Sequence, residues 1–336
     1  MTAVGLSSFF QIAAFGDKNV GGRAHDEDAI LVRPDLGLFA VADGAGGDNA
    51  GNIASSVALA SLTREFEATR GMAEHELVDS LGVLAGARRL SRAVHRAHRE
   101  VSAIAKSHDR YRGMGTTIVA ISLQLEHGLA HLASVGDSTC FRMRSGNLEQ
   151  LSEDHTLGRD VLELTPDFDD AAAKRLPRNV ITRALGMKDN LRVAVRSFDI
   201  ANGDRFVLVS DGVADVLGDD AIVEVLQTTR DAEGHARGLI QAALSRGPDD
   251  NCAAVVLSIQ AALGVSSIPK AHHARPLRKQ RRDTLDSLAP EPEIVIVDEE
   301  LIEDSWETEV HAVPAPADEV MSDLRAYARF QKPKRS

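Results

Sequence analysis

Short apolar runs separated by turn residues fill the chain up to about residue 260, and they predict β-strands. Residues 29–32 and 38–42 are apolar and flank Pro34-Asp35-Leu36-Gly37, a pattern that predicts two strands joined by a turn. Further runs rich in Val, Ile and Phe predict strands at 116–123, 129–135, 140–144, 206–209 and 252–259. Several are joined by short turns that contain glycine, which favours antiparallel pairing.

Other segments carry apolar residues three and four positions apart, as expected for helices with one buried face. Residues 52–66 and 90–104 form a first pair of such segments, and residues 219–229 and 232–244 form a second pair. The strands are interleaved with these pairs but do not alternate strictly with single helices. The pattern therefore predicts an α+β fold in which antiparallel sheets are covered by helices.

The pattern changes near residue 262. Basic residues cluster between Lys270 and Arg282, prolines follow, and carboxylates surround the apolar run 294–297. Charge blocks and prolines with few aromatic residues are typical of disordered segments. We therefore predict a folded domain over residues 1–262 and a disordered charged tail over residues 263–336.

The tail contributes nothing to the sheets in this interpretation, and two hypotheses about its role stay open. Most acidic, proline-bearing termini are solvated linkers. Residues 293–310, which include the apolar run, are instead a candidate segment for adding a strand to the sheet edge of a protein partner.

Composition excludes several classes of protein. Acidic residues outnumber basic ones by 50 to 38, giving a net charge of −12, whereas sequence-independent nucleic-acid binding needs a cationic face. No segment approaches the length of apolar sequence that a membrane span requires, and no signal peptide is evident. Cys140 and Cys252 have neither disulfide nor zinc spacing, and both are expected to be buried. A cytoplasmic location is expected.

Aspartates stand at the ends of four predicted strands. Asp43, Asp137 and Asp211 each follow an apolar run, and Asp250 precedes the last one. If that last strand runs antiparallel to the others, all four acids converge on one edge of the sheet. The first hairpin adds residues 26–28, which it places beside Asp43.

So many carboxylates at one rim would repel one another and raise each other's pKa. Divalent cations remove that cost, and an all-oxygen ligand set selects Mg²⁺ or Mn²⁺ over zinc. Any single Asp-Gly or Gly-Asp pair is more often a turn than a ligand. The joint arrangement is what predicts a metal site.

These residues resemble the metal-dependent protein phosphatases of type 2C, the PPM family, in their bacterial form. The resemblance is ordered along residues 10–260. It rests on eight short motifs: Arg23-Ala24-His25-Asp26-Glu27-Asp28, Val41-Ala42-Asp43-Gly44-Ala45-Gly46-Gly47, Gly113-Met114-Gly115-Thr116-Thr117, Val135-Gly136-Asp137-Ser138, Glu153-Asp154-His155-Thr156, Ile181-Thr182-Arg183-Ala184-Leu185-Gly186, Ser210-Asp211-Gly212 and Asp250-Asn251. The fold it implies is an αββα sandwich, two antiparallel sheets flanked by helix pairs.

The resemblance also implies a ligand set for two Mn²⁺ or Mg²⁺ ions. Asp43 would bridge the two ions, and Asp211 and Asp250 would complete the first site. The Gly44 carbonyl would serve the second site, and Glu27 and Asp28 would act largely through metal-bound water. The acids that hold a third, weaker ion in family members correspond to Asp137, Asp211 and Asp215.

The implied activity is hydrolysis of phosphoserine and phosphothreonine by direct attack of a metal-bridging hydroxide. The catalytic set would be Arg23, Glu27, Asp28, Asp43 and Asp211, with the Arg23 guanidinium clamping the substrate phosphate. Phosphorylated proteins would be the substrates, in a signalling pathway that opposes a bacterial Ser/Thr kinase. Partner switching and secretion-system control are alternative pathways for the same enzyme.

A pseudophosphatase that only binds is the alternative from another class. Loss of Asp43, Asp211 or Asp250 would favour it, and all three are present. Departures from the family pattern do exist: Asp26 replaces an asparagine, Ala45 a methionine or histidine, and Asp48 a histidine. None of these removes a ligand. The donor of the leaving-group proton is therefore expected to be metal-bound water.

Two further expectations concern histidines and a flap. His95 and His98 lie on an arginine-rich helix and are expected at the solvated surface, while His155 is given no role. The segment from Leu157 to Arg178 is expected to form a flap beside the active site.

Overall fold

The structure is a computed structural model that describes residues 3–7, 9–47, 50–71, 84–164, 180–187, 191–228, 231–262 and 295–297. The strands in chain order are β1 Ala3–Leu6, β2 Phe10–Asn19, β3 Asp28–Arg33, β4 Leu38–Ala45, β5 Gly115–Thr116, β6 Ile118–Gln124, β7 Leu129–Val135, β8 Thr139–Arg144, β9 Asn147–Gln150, β10 Val193–Asp199, β11 Arg205–Val209, β12 Cys252–Ala261 and β13 Val295–Val297. The helices are α1 Ala50–Ala68, α2 Ala85–Ser107, α3 Leu157–Leu164, α4 Asp211–Leu217, α5 Asp219–Thr228 and α6 Ala232–Ser245.

The strands form two antiparallel sheets. The first sheet has the order β1-β2-β12-β11-β8-β9, and the second has the order β13-β10-β7-β6-β4-β3 with β5 added to β4. Aromatic side chains such as Phe10, Phe39 and Phe206 fill the space between the sheets. The predicted α+β class and two-sheet architecture are confirmed.

Helix pairs cover the outer faces, as predicted for an αββα sandwich. Leu59 of α1 and Leu90 of α2 are fully buried against the second sheet. Ile222 of α5 and Leu239 of α6 are buried against the first sheet. None of the helices that the structure describes is both long enough and apolar enough to cross a membrane.

The predicted strands and helices agree with the structure to within a few residues at their ends, and two long strands were missed. The first hairpin pairs Asp28 with Asp43 at its open end and Arg33 with Leu38 at its turn. The missed strand β2 carries Asp17 and Lys18, which interrupt its apolar pattern. Strand β10 has the sequence VAVRSFD, whose alternation is broken by small and polar residues.

The expectation that nothing beyond residue 262 joins a sheet is wrong for three residues. Strand β13 pairs antiparallel with β10, with Val193 opposite Val297 and Val195 opposite Val295. In the described part of the chain, β10 would otherwise be an edge strand with unpaired backbone groups, and a short apolar run of high β-propensity can satisfy them. The remaining residues of 263–336 lie outside the described residues, and the domain boundary near 262 stays a prediction.

The expectation that His95 and His98 lie at the solvated surface is also wrong. Their exposed fractions are 1% and 3%. The His95 ring donates from Nδ1 to the Ser91 carbonyl (2.9 Å), and the His98 Nδ1 accepts the Gly186 N–H (3.1 Å). Helix α2 packs across the second sheet, so more of its circumference is covered than its arginine content suggests.

Candidate metal centre

Strand direction brings the four strand-end aspartates to one end of the sandwich. Strands β4 and β7 both pair antiparallel with β6, so Asp43 and Asp137 leave the second sheet at the same end. Strands β11 and β12 are antiparallel, so Asp211 and Asp250 lie at one end of the first sheet. The expectation of a single sheet edge is corrected, because the acids face one another across the gap between two sheets.

Direct contacts join the two sides of this cluster. Asp28 lies opposite Asp43 in the first hairpin, and its Oδ2 accepts the Ser210 hydroxyl from the other sheet (2.8 Å). A hydrogen bond connects the carboxyl groups of Asp43 and Asp211. The side chain of the residue before Asp211 therefore contacts the first hairpin directly.

Desolvation and mutual repulsion raise the pKa values of several carboxyl groups in the cluster. Desolvation raises the pKa of Asp28 to about 8, and Asp26 and Asp211 add to the shift. Desolvation and then Asp211 raise the pKa of Asp137 to about 7. The pKa of Asp43 lies well above its ordinary value because of desolvation and the nearby acids, and that of Asp211 is raised by desolvation and Asp250.

Buried carboxylate oxygens without partners indicate what the cluster is suited to bind. Among the described residues, Oδ1 of Asp28, of Asp137 and of Asp211 is buried and accepts no hydrogen bond. Leaving such atoms unsatisfied costs free energy, and a cation would satisfy them. The donor set is all oxygen, which fits Mg²⁺ or Mn²⁺.

The described acids do not form a complete set of protein ligands around one point. In the part of the chain that the structure describes, no three acidic, histidine or cysteine side chains already form a group able to hold one ion. Mg²⁺ keeps several of its waters and is commonly held by one or two carboxylates. Pairs such as Asp43 with Asp211 therefore suit a hydrated ion.

Glu27 and Gly44 meet at the start of α1 through a close backbone approach that the sequence reasoning missed. Desolvation raises the pKa of Glu27, and the Gly51 N–H, which donates to the Glu27 carboxyl, partly opposes this shift. A Cβ on Gly51 would lie 2.6 Å from the Gly44 carbonyl oxygen and 2.7 Å from the Glu27 carboxyl. Only glycine fits here, and the signal was the Gly51 that opens the helix seven residues after Gly44.

Asn251 fixes the loop that carries Arg23 and Glu27. Its Oδ1 accepts the Glu27 N–H (2.9 Å), and its Nδ2 donates to the carbonyls of Val20 and His25 (2.8 and 2.9 Å). Asn251 was noticed only as part of a motif. In the structure, the Asn251 side chain holds this loop next to Asp250.

Arg23 lies at the mouth of the cluster. Its side chain is 56% exposed, and it donates to the Asp249 carbonyl (3.0 Å) and to the Asp250 carboxylate (2.6 Å). A guanidinium in this position keeps donors available to solvent while one edge is held. The structure thus places Arg23 beside the predicted ligands.

Asp215 and Asp154 extend the cluster next to Asp137. Asp215 lies on α4, and its charge raises the pKa of Asp137 and of Asp211. Asp154, which the sequence reasoning did not select, also raises the pKa of Asp137 and accepts the Gln150 amide (2.9 Å). The local signal for Asp154 was its place in the Glu-Asp-His-Thr motif.

The extra negative charge of Asp26 is matched by a lysine. Lys18 of β2 forms an ion pair with Asp26 (2.9 Å), and its Nζ also donates to the Asp28 carbonyl (2.6 Å). The departure from the family's asparagine therefore adds a local ion pair rather than an uncompensated charge beside Asp28.

The cysteines do not supply a nucleophile. Cys140 and Cys252 are buried, and burial raises the thiol pKa of both, that of Cys252 to about 11. A thiol is nucleophilic as the thiolate, which neither group forms near neutral pH.

Manganese binding should strengthen as pH rises from about 5 to about 8. In the metal-free protein the pKa of Asp28 is raised to about 8 and that of Asp137 to about 7, whereas the ordinary pKa of an aspartate is 3.8. Raised folded-state pKa values mean that stability is lost as pH rises through this window. A bound cation replaces those protons, so the rise in Tm caused by Mn²⁺ should grow with pH.

Calorimetry in buffers of different ionisation enthalpy measures the protons released on binding. Release should be largest near pH 6 and fall towards pH 8, because fewer protons remain to be displaced. The Asp137→Asn variant is the control and should release fewer protons. A Tm shift and a proton count that do not change with pH would contradict this expectation.

Known proteins with similar sequences point to one family. The family model described as Protein phosphatase 2C matches residues 15–246. Serine/threonine phosphatase stp of Listeria monocytogenes is 28% identical over 232 residues, which cover 68% of this chain and 88% of that protein. Serine/threonine protein phosphatase PstP of Mycobacterium tuberculosis is 32% identical over 242 residues, which cover 70% of this chain and 43% of that protein.

A solved structure with the same architecture contains metal. The crystal structure of the catalytic domain of the phosphatase PstP in complex with two manganese ions matches with a TM-score of 0.62 and 28% identity. The match covers 75% of this chain and 99% of that one. The stretch matched by the family model, residues 15–246, includes every predicted ligand except Asp250.

Proposed function

The chain belongs to the protein phosphatase 2C family and is a metal-dependent protein serine/threonine phosphatase, and we propose that the aspartates between its two sheets form the catalytic centre. The observation that carries this proposal is the set of buried, unpartnered carboxylate oxygens on Asp28, Asp137 and Asp211. The alternative of a pseudophosphatase has no support, since the relatives above are named as phosphatases.

Two divalent ions would be held mainly by Asp43, Asp211 and Asp250, with the Gly44 carbonyl on the second ion. When bound, the ions supply Lewis acidity that lowers the pKa of water and neutralises charge on the phosphoryl oxygens. Asp43 is kept in place by Thr117, which receives the Asp43 N–H at Oγ1 (3.0 Å) and donates its own N–H to the Asp43 carbonyl (2.8 Å). Rigid support of this kind is what positions a ligand.

Glu27 and Asp28 would orient water around the ions. The Glu27 carboxyl is fixed by Gly51, and Asp28 is fixed by Ser210, so each keeps an oxygen in a defined direction. Arg23 would bind two phosphoryl oxygens through its planar guanidinium, and its position at the mouth suits a substrate arriving from solvent.

A third, weaker ion would lie beside Asp137, Asp211 and Asp215. Asp154 adds a fourth carboxylate to this side of the cluster, since it interacts with Asp137 and Asp215. The predicted flap begins at Leu157, three residues after Asp154; its first part forms α3, and residues 165–178 lie outside the described residues, so the flap stays a prediction.

Phosphoproteins made by a Ser/Thr kinase would be the substrates. The test uses three peptides of one sequence that carry phosphoserine, phosphothreonine or phosphotyrosine, each with Mn²⁺ present. We expect release of phosphate from the first two, incorporation of one ¹⁸O from labelled water, and no trapped phosphoenzyme. A covalent phosphoenzyme, or release from phosphotyrosine alone, would overturn the proposal.

We also propose that strand β13 is a docked segment of the tail that a partner's strand can replace. It pairs with β10 over Val193–Val195, which among the described strands would otherwise be an edge of the second sheet. The edge strand β10 is thus paired within this chain, and a partner's strand that pairs with β10 more strongly would displace β13.

Truncation after Leu263 should therefore speed amide exchange in residues 193–195 by about tenfold or more, since about 1 kcal/mol is expected for each hydrogen bond lost. Turnover of a small substrate should not change. The double variant Val295→Asp, Val297→Asp should act like the truncation, and the matched variant Val310→Asp, Val313→Asp should not. Equal exchange in all four proteins would show that the tail is a free linker.

A further inference from the structure

His155 is a buried histidine that the proposed chemistry does not use. Its exposed fraction is 3%, and it lies in the loop between β9 and α3. The ring receives the Gly136 N–H at Nδ1 (3.1 Å), and the His155 N–H donates to the Gly136 carbonyl (2.9 Å). One residue therefore satisfies both backbone groups of the glycine that precedes Asp137.

The direction of these bonds fixes the form of the ring. Because Nδ1 accepts a hydrogen bond, the proton of the neutral ring is on Nε2, and a doubly protonated ring would lose the bond. Burial lowers the pKa of His155 to about 4, so the ring stays neutral near pH 7. Protonation of the ring therefore does not break the bond to Gly136 near pH 7.

Gly136 has a backbone conformation that residues with a side chain rarely adopt. Its φ is +102°, and an added Cβ would lie 2.6 Å from the Thr117 side chain. With no side chain, Gly136 cannot anchor itself by packing. On the other side of the turn, the Ser138 hydroxyl contacts the Thr117 hydroxyl (2.7 Å), which also receives the Asp43 N–H.

His155 also contacts the segment 180–187. The Thr182 N–H donates to the His155 carbonyl (2.9 Å), and Thr156 pairs with Ile181. Further along, Leu185 and Thr116 exchange N–H···O bonds (2.8 and 3.1 Å), and Thr116 Oγ1 donates to the Asp43 carbonyl (2.8 Å). Segment 180–187 is therefore connected through His155 to the turn that precedes Asp137, and through Thr116 to the backbone of Asp43.

We propose that His155 is a positioning residue that sets the direction of Asp137 and links the metal centre to segment 180–187. The inference rests on the proposed function, since Asp137 is a ligand only within it. His155 touches neither substrate nor metal in this role. It acts as an outer support, and loss of such a support typically weakens metal affinity or activity by about 10- to 100-fold.

The test compares three variants in the full-length protein. His155→Leu removes the acceptor, whereas His155→Asn keeps an acceptor oxygen near the position of Nδ1. His95→Leu is the matched control, because His95 is equally buried, bonds backbone through Nδ1 and has a buried Nε2 without a partner among the described residues. His95 lies on α2 and bonds only within that helix to Ser91.

We expect His155→Leu to raise the Mn²⁺ concentration for half-maximal turnover by about tenfold or more, with a matching loss in calorimetric Mn²⁺ affinity. Amide exchange in the metal-free protein should speed up over residues 135–138 and 181–186 together. His155→Asn should recover most of the affinity. His95→Leu should lower Tm without moving the Mn²⁺ dependence.

Equal Mn²⁺ dependence in the His155→Leu and His95→Leu variants would overturn the inference, as would failure of His155→Asn to restore affinity above the leucine variant. These outcomes leave the proposed function intact. Turnover by the unaltered protein that ignores Mn²⁺ would instead remove the proposed function itself.

Discussion

Removal of divalent metal should abolish hydrolysis of p-nitrophenyl phosphate, and Mn²⁺ or Mg²⁺ should restore it. The expectation follows from an oxygen-only cluster in which Asp28, Asp137 and Asp211 each hold a buried carboxylate oxygen without a partner. Without a cation, desolvation raises the pKa of Asp28 to about 8 and that of Asp137 to about 7, and desolvation and Asp250 raise the pKa of Asp211. A protonated cluster neither activates water nor neutralises a phosphoryl group.

The assay adds excess chelator, removes it by gel filtration and returns each metal separately. Treatment with a thiol-alkylating reagent is the control and should leave turnover unchanged, since both cysteines are buried. Full activity in chelator, or loss on alkylation, would contradict a metal-dependent mechanism. Because metal binding also relieves repulsion among the acids, chelation should lower Tm at the same time.

Local pattern was sufficient for the elements that carry the site. The hairpin of β3 and β4 follows from two apolar runs and a turn, and it alone places Asp28 opposite Asp43. The positions of Asp137 and Asp211 at strand ends were visible in the same way. Strand direction then predicted convergence, although not that the acids would come from two sheets.

The missed features depend on contacts between distant parts of the chain. Lys18 meets Asp26 because β2 of the first sheet lies against β3 of the second sheet, and no local pattern predicts that contact. His155 was left without a role because Gly136 is 19 residues away, in another loop. Strand β13 is separated from β10 by about a hundred residues, so its pairing cannot follow from the tail's composition.

Asp211→Asn should remove nearly all turnover, whereas Arg23→Ala should mainly weaken substrate binding. Asp211 interacts with Asp43, Asp215 and Asp250, so it lies where the two halves of the cluster meet. An amide at this position has the same shape but no charge for a cation. We expect kcat to fall by about a thousandfold or more, the scale seen when one group that stabilises transition-state charge is removed.

The same substitution should stabilise the metal-free protein. It replaces one of several acids that raise each other's pKa by a neutral group, so Tm without metal should rise while the Tm gain from Mn²⁺ disappears. A variant that loses activity because it is misfolded would show a lower Tm in both conditions. The two explanations are thus separated by one melting experiment.

Arg23→Ala should raise KM by about 10- to 100-fold, the equivalent of one hydrogen bond to a charged group. Its side chain is 56% exposed and, among the described ligand candidates, is hydrogen-bonded to Asp250, so Mn²⁺ affinity should stay close to that of the unaltered protein. Arg23→Lys keeps the charge but loses the planar fork, and it should give an intermediate KM. Calorimetry on all three variants assigns the roles: if Arg23→Ala lost Mn²⁺ binding as severely as Asp211→Asn, Arg23 would belong to the metal centre and not to the phosphate site.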